Sequence, residues 1–188
     1  MNSENTKQLF EKYPILYRDR TASIQTSLVA FGFEHGDGWF KVVDDLSAKY
    51  EFLNHTPDCP FYIIAVQMKE KFGTLRFYTH LERKDDERFS EPTDKLWSDI
   101  IWALESQAEN ISGWTCENCG KFGERRSSGW IRTLCDECEQ KYQEKRNPTV
   151  TTEVGDTTAI SGNCSEHDHC KERDKAECEW CMRSIDDE

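Results

Sequence analysis

The sequence predicts an α+β fold: a small β-hairpin sheet packed by amphipathic helices, then a compact four-cysteine segment and an acidic Cys/His-rich tail. Three observations predict it. Residues 61–68 (FYIIAVQM) and 74–80 (TLRFYTH) are rich in β-branched and aromatic side chains and bracket a glycine turn. Residues 39–53 and the stretch after Pro92 repeat apolar side chains at three- and four-residue steps. Pairs of C-x2-C spacing fall at Cys116 and Cys119 and again at Cys135 and Cys138.

Taken in order, residues 6–13 form a short helix stopped by Pro14, because proline has no N–H to donate. Ile24, Leu28 and Phe31 have helical spacing and run into Gly32. The turn Glu34-His35-Gly36-Asp37-Gly38 follows, with two glycines free to take positive φ. Trp39, Val42, Val43, Leu46, Tyr50 and Leu53 then line one face of a helix whose Asp44, Asp45 and Lys49 face water. In the hairpin, alternation puts Leu75 and Phe77 on one face and Arg76 and Tyr78 on the other. Residues 82–91 are a charged loop. A long helix starts near Pro92 or Thr93, and Leu96, Ile100, Leu104 and Ala108, flanked by Trp97, Ile101 and Ile111, form its apolar stripe. That stripe is expected to cover one face of the hairpin, and Gly113 ends it. Domain organisation follows: a body over 1–113, a cysteine finger over 114–146, a linker over 147–163 with little apolar mass, and the tail over 164–188.

Composition narrows the function classes. Hydrophobic residues make up 36% and charged residues 32% of 188, with a net charge of −12. The charge is uneven: −6 over 1–115, +1 over 116–146 and −7 over 147–188. General attraction to nucleic acid needs counterion-releasing Lys and Arg, so only the central segment suits it. No apolar run reaches the roughly 20 residues of a membrane span. The N-terminus lacks the basic and apolar regions of a secretory signal, and the expected location is the cytoplasm, that of the host cell if the chain is phage-encoded. In that reducing compartment nine cysteines, six of them in C-x-x-C pairs, point to metal rather than disulfides.

Four thiolates at Cys116, Cys119, Cys135 and Cys138 suit one tetrahedral Zn²⁺. Gly120 lets the backbone bend so that amides reach the sulfurs, and the second pair opens a helical stretch, CDECEQKYQEKR, where a positive helix end favours thiolate. Residues 130–134 read as a strand returning from a turn at 127–129. A second zinc is possible among Cys164, His167, His169, Cys170, Cys178 and Cys181; Cys178 and Cys181 form a normal ligand pair, and four residues compete for the other places. The alternative for that tail is disorder with incidental thiols. Lys121, Arg125, Arg126 and Arg132 surround the first site, where they would grip phosphates or an acidic partner or simply be solvated.

The knuckle, hairpin and ligand-bearing helix start resemble the treble-clef zinc fold. CENCGKFGERRSSGWIRTLCDEC also resembles a GATA-type finger over about thirty residues, with a shorter loop. Pro57-Asp58, an apolar strand, then Gln67-Met68-Lys69 resembles the PD…(E/Q)xK pattern of restriction-endonuclease-like nucleases. That likeness implies Asp58 and Gln67 holding Mg²⁺ and Lys69 orienting water. Glu34, His35 and Asp37 form a further polar constellation, better explained as a stabilised turn, and Cys59 has no recognisable His partner. There is no G-x-S-x-G, Walker loop or dinucleotide fingerprint.

The segments FGFEHGDGWF, QMKEKFGTLRFY and CENCG…GWIRTLCDEC, in this order, resemble a family of phage and prophage proteins to which no activity is attached. The likeness spans about residues 14–142 and implies a small α/β body fused to a zinc finger. Accessory phage proteins of this size act on host machinery or defence systems. The expectation is therefore a non-catalytic zinc protein that binds a host protein through the Arg76/Tyr78 face or the finger. The alternatives are a metal-dependent nuclease and a nucleic-acid-binding regulator using Lys121, Arg125, Arg126 and Arg132.

Overall fold

A computed structural model describes residues 1–85, 88–127 and 129–147. The architecture is α+β, and the described residues fall in one compact unit. Helix α1 spans Ser3–Lys12, earlier than its apolar pattern suggests. Asn2 caps it by accepting from the Asn5 amide at 2.8 Å, with Glu4 and Lys12 placed to suit the helix dipole. The helical spacing of 24–31 is not realised. Only one 3₁₀ turn forms, Val29–Phe31, and Ile24 and Phe31 stay largely exposed. The segment instead runs beside the sheet, where the Leu28 amide donates to the Val66 carbonyl at 3.0 Å. A tertiary hydrogen bond thus overrides a weak local preference.

Strand β1, Phe33–Glu34, pairs in parallel with β2, Phe61–Lys71, which pairs antiparallel with β3, Thr74–Arg83. Both long strands outrun their sequence patterns, since their charged ends still alternate across the hairpin. A bulge between Ala65 and Gln67 shifts the inward phase. Phe61, Ile63 and Ala65 face the core before it and Met68 after it, opposite Phe77. Lys71 and Thr74 are joined by Phe72 and Gly73, both at positive φ, 55° and 82°.

Helix α2, Phe40–His55, buries Val42, Val43, Leu46 and Tyr50 as the periodicity predicts. Its buried Asn54 clasps Ile63, donating to the carbonyl at 3.0 Å and accepting from the amide at 2.6 Å. Helix α3, Glu91–Ser112, has proline in its first turn, and its C-cap is Gly113. It packs beside α2 on the same face of the hairpin, with Ser112 Oγ accepting from the Leu75 amide at 2.8 Å. The predicted stripe is rotated. Trp97, Ile101, Leu104 and Ala108 pack into or against the core, while Leu96 (59%), Ile100 (37%) and Ile111 (48%) are exposed. The apolar arc of α3 is wider than the groove it fills, so one flank stays in water. No described helix is long and apolar enough to cross a membrane.

Candidate metal centre

The finger is built from a knuckle over 115–122, strands β4 (Glu124–Arg126) and β5 (Arg132–Leu134), and helix α4 (Asp136–Arg146). The Cys116 amide donates to the Lys121 carbonyl at 2.7 Å and the Gly120 amide to the Cys116 carbonyl at 2.9 Å. Gly120 takes φ 75°, the bend that its position required. Cys135 is the N-cap of α4 and Cys138 lies in its first turn.

All four sulfurs lie within 4.8 Å of one another, and Cys119 Sγ and Cys135 Sγ are 3.6 Å apart. A tetrahedral ion with sulfur at about 2.3 Å requires sulfurs about 3.8 Å apart, so the set fits one ion. Backbone N–H groups aim at two of them, Lys121 at Cys119 and Cys138 at Cys135. The Cys138 amide draws the Cys135 thiol down to about 7, whereas burial pushes Cys119 up and Cys138 up to about 12. The Cys138 amide thus favours the thiolate form of Cys135, the form that binds a metal. Among the described residues these four are the group of three or more potential ligands that could hold a metal ion. Cys164, His167, His169, Cys170, Cys178 and Cys181 lie outside the described residues.

The site is locked to the body by a set of backbone and side-chain hydrogen bonds. The Gly38 amide donates to the Glu117 carbonyl at 2.8 Å, and the Gly36 amide to Glu117 Oε1 at 3.0 Å. The fully buried Trp39 indole donates to the Thr115 carbonyl at 2.7 Å. A Cβ on Gly38 would sit 2.1 Å from the Cys116 carbonyl oxygen, so only glycine permits this approach. On the other side Thr133 Oγ1 donates to the Gly73 carbonyl at 2.5 Å and Trp130 Nε1 to Glu70 at 3.0 Å. Glu117, buried between the ligand cysteines, also accepts from Arg132 Nε at 3.0 Å. Gly36 and Gly38 do not take the positive φ that the sequence allowed them; Gly38 serves close approach instead, and nothing marked Glu117 or Thr133.

Of the four basic side chains expected around the first site, three are held in ion pairs. Lys121 pairs with Glu137 at 2.9 Å, Arg126 with Asp136 at 2.5 Å and Arg132 with Glu117, leaving Arg125 exposed without an ion pair among the described residues. The nuclease-like trio does not converge. Asp58 is exposed at a turn, with Arg88 4.0 Å away. Gln67 lies six residues into β2 from Phe61, a rise of roughly 20 Å, and bonds Glu34 at 2.9 Å. Lys69 lies over the Tyr78 ring at 5.5 Å. Asp37 accepts from the Asn2 amide at 2.7 Å, as a turn residue would, and His35 is buried against Phe33 and Trp39. Cys59 is buried, its thiol pushed up by desolvation.

The chain matches no protein-family model, no curated protein and no solved structure. The phage-family resemblance therefore gains no support from these comparisons. What fold and site define is a class: an α+β protein with a closed four-cysteine cluster able to hold one metal ion.

Proposed function

We propose that the ion is structural Zn²⁺ and that the protein is a non-catalytic module that binds a protein partner, in keeping with an accessory phage protein acting on a host protein. The observation that carries the reading is the closed set of four cysteine sulfurs joined to the body. Four sulfurs fill a tetrahedral zinc and leave no position for water or substrate, the signature of a structural rather than a catalytic site.

The partner surface we assign is the tip where hairpin and finger meet. Trp130 is 71% and Phe72 57% exposed, and with Ile131 they border a cleft of about 370 Å³. Large aromatic side chains at a rigid tip are the usual anchors of protein interfaces. Phe72 holds positive φ to stand there, a conformation that costs a non-glycine residue about 1–2 kcal/mol. The pairing of Lys121, Arg126 and Arg132 within the finger favours a protein over nucleic acid.

The test combines metal analysis with site-directed photocrosslinking. Protein purified without chelator should carry one zinc per Cys116–Cys138 site, lost in Cys116→Ser. A photoreactive residue at position 130 should crosslink one defined host protein, and Phe72→Asp should abolish the adduct. Cleavage of plasmid with Mg²⁺ that disappears in Lys69→Ala would instead establish the nuclease.

A further inference from the structure

Helix α3 buries only half of its apolar arc, and the uncovered half is ordered. Leu96, Ile100, Ala103, Gln107, Ile111 and Trp114 are all solvent-exposed and follow one another at steps of four, three, four, four and three residues. That spacing is one straight seam on a 3.6-residue helix, about 27 Å long at 1.5 Å per residue. Trp114 stays in line because its amide still bonds the Ile111 carbonyl at 3.1 Å beyond the end of the helix. The seam positions carry no charge, in a chain of net charge −12. Lys49, which reaches Gln107 from α2 at 2.9 Å, stands at its rim.

The seam is apolar at both ends and has an isoleucine on each side of its midpoint, Ile100 and Ile111. A twofold axis near residue 105 would place Leu96 against Trp114, Ile100 against Ile111 and Ala103 against Gln107 of a second copy. Bulky pairs would close the two ends, and the small Ala103 would sit at the centre, where helix axes approach most closely. In such an isologous interface every contact is made twice, so the Ile100–Ile111 pair would occur on both sides of the axis. We infer that the exposed flank of α3 is a homodimer interface in which two α3 helices pack antiparallel about residue 105. The area suffices. With Phe52 and the Phe122 ring stacked on Trp114 at 6.0 Å, the exposed parts of the large side chains come to roughly 700 Å². A standard interface buries about 800 Å² per partner.

Sedimentation velocity on the full metal-bound chain at physiological salt tests this. The expected species is twice the 22.0 kDa chain mass. Ile100→Glu and Ile111→Lys, both at exposed positions, should each dissociate at least 100-fold more readily. Trp102→Glu, on the opposite flank, should dimerise like the parent. Mixing the Ile100→Glu and Ile111→Lys chains should restore a 1:1 dimer, because the antiparallel register sets the new carboxylate beside the new ammonium and leaves one Ile–Ile pair intact. A parent that stays monomeric at 100 µM overturns the inference, as does a dimer that survives Ile100→Glu or a mixture that fails to re-form one. Finding a metal other than zinc in the four-cysteine site would leave this result standing, since the seam lies on α3.

Discussion

A Cβ built on Gly38 would lie 2.1 Å from the Cys116 carbonyl oxygen, 2.5 Å from the Gly120 nitrogen and 2.7 Å from the Cys119 nitrogen. All three are backbone atoms of the knuckle, so nothing flexible can yield. Gly38→Ala should therefore destabilise the protein by about 3 kcal/mol, the upper end of overpacking costs, and weaken metal retention. Urea unfolding and chelator competition measure the two effects. At His35 the effect is protonic. Burial lowers its pKa from 6.5 to about 4, the nearby N-terminal ammonium acts in the same direction, and Asp37 and the Gly36 carbonyl oppose it. Nδ1 bonds the Gly36 carbonyl while Nε2 has no partner, so the folded protein keeps the ring neutral. The unfolded chain takes up this proton near pH 6.5 and the folded protein only near pH 4. The contribution is complete above 6.5 and lost as pH falls between those values, about 3 kcal/mol in all. His35→Phe should flatten the difference in stability between pH 7 and pH 4.5, measured against the parent so that acid titration of the thiols cancels.

At the level of elements, the Phe72-Gly73 turn has both central residues at positive φ, the type I′ pattern that asparagine-glycine fills best. Phe72→Asn should stabilise the hairpin by about 1 kcal/mol and, at the same time, remove an anchor of the proposed partner surface; thermal unfolding and crosslinking read the opposed effects. The knuckle and β5 are held together by Arg132. Removing it would leave the buried Glu117 carboxylate with only the Gly36 amide as its side-chain donor. Arg132→Ala should cost about 3 kcal/mol, the lower end for an ion pair broken in the interior.

Local signals made part of this legible in the sequence. The period of α2, the alternation of β3 and the C-x2-C pairs each declare themselves within a few residues, and the structure follows them. The stripe of α3 misled because an arc holding Leu96, Ile100, Ile101, Leu104 and Trp97 does not say which half meets the sheet. That choice depends on where Leu75 and Tyr50 stand. Residues 24–31 misled because a single hydrogen bond to the bulge at Val66 outweighs their helical spacing. Glu117 was invisible because its role exists only once Gly36 and Arg132 arrive from opposite sides.

Across the whole molecule, the four-thiolate site touches the first third of the chain through Gly36, Gly38 and Trp39, and the hairpin tip through Gly73 and Glu70. Chelation should therefore lower a single cooperative transition rather than delete a small separate one. Circular dichroism during metal removal should show body and finger losing structure together, and Cys135→Ser should reproduce the effect. An independent finger would instead leave the helical signal of 40–55 and 91–112 intact.

Trp39 offers a way to watch this happen. Among the described tryptophans it alone is fully buried, and its indole N–H reaches the carbonyl next to the first ligand cysteine. Its emission belongs to the blue edge of the spectrum, apart from the red-shifted light of Trp102, Trp114 and Trp130 in water. Stripping a bound ion should dim that blue edge first, so Trp39 emission would report on whether the four-cysteine site is filled.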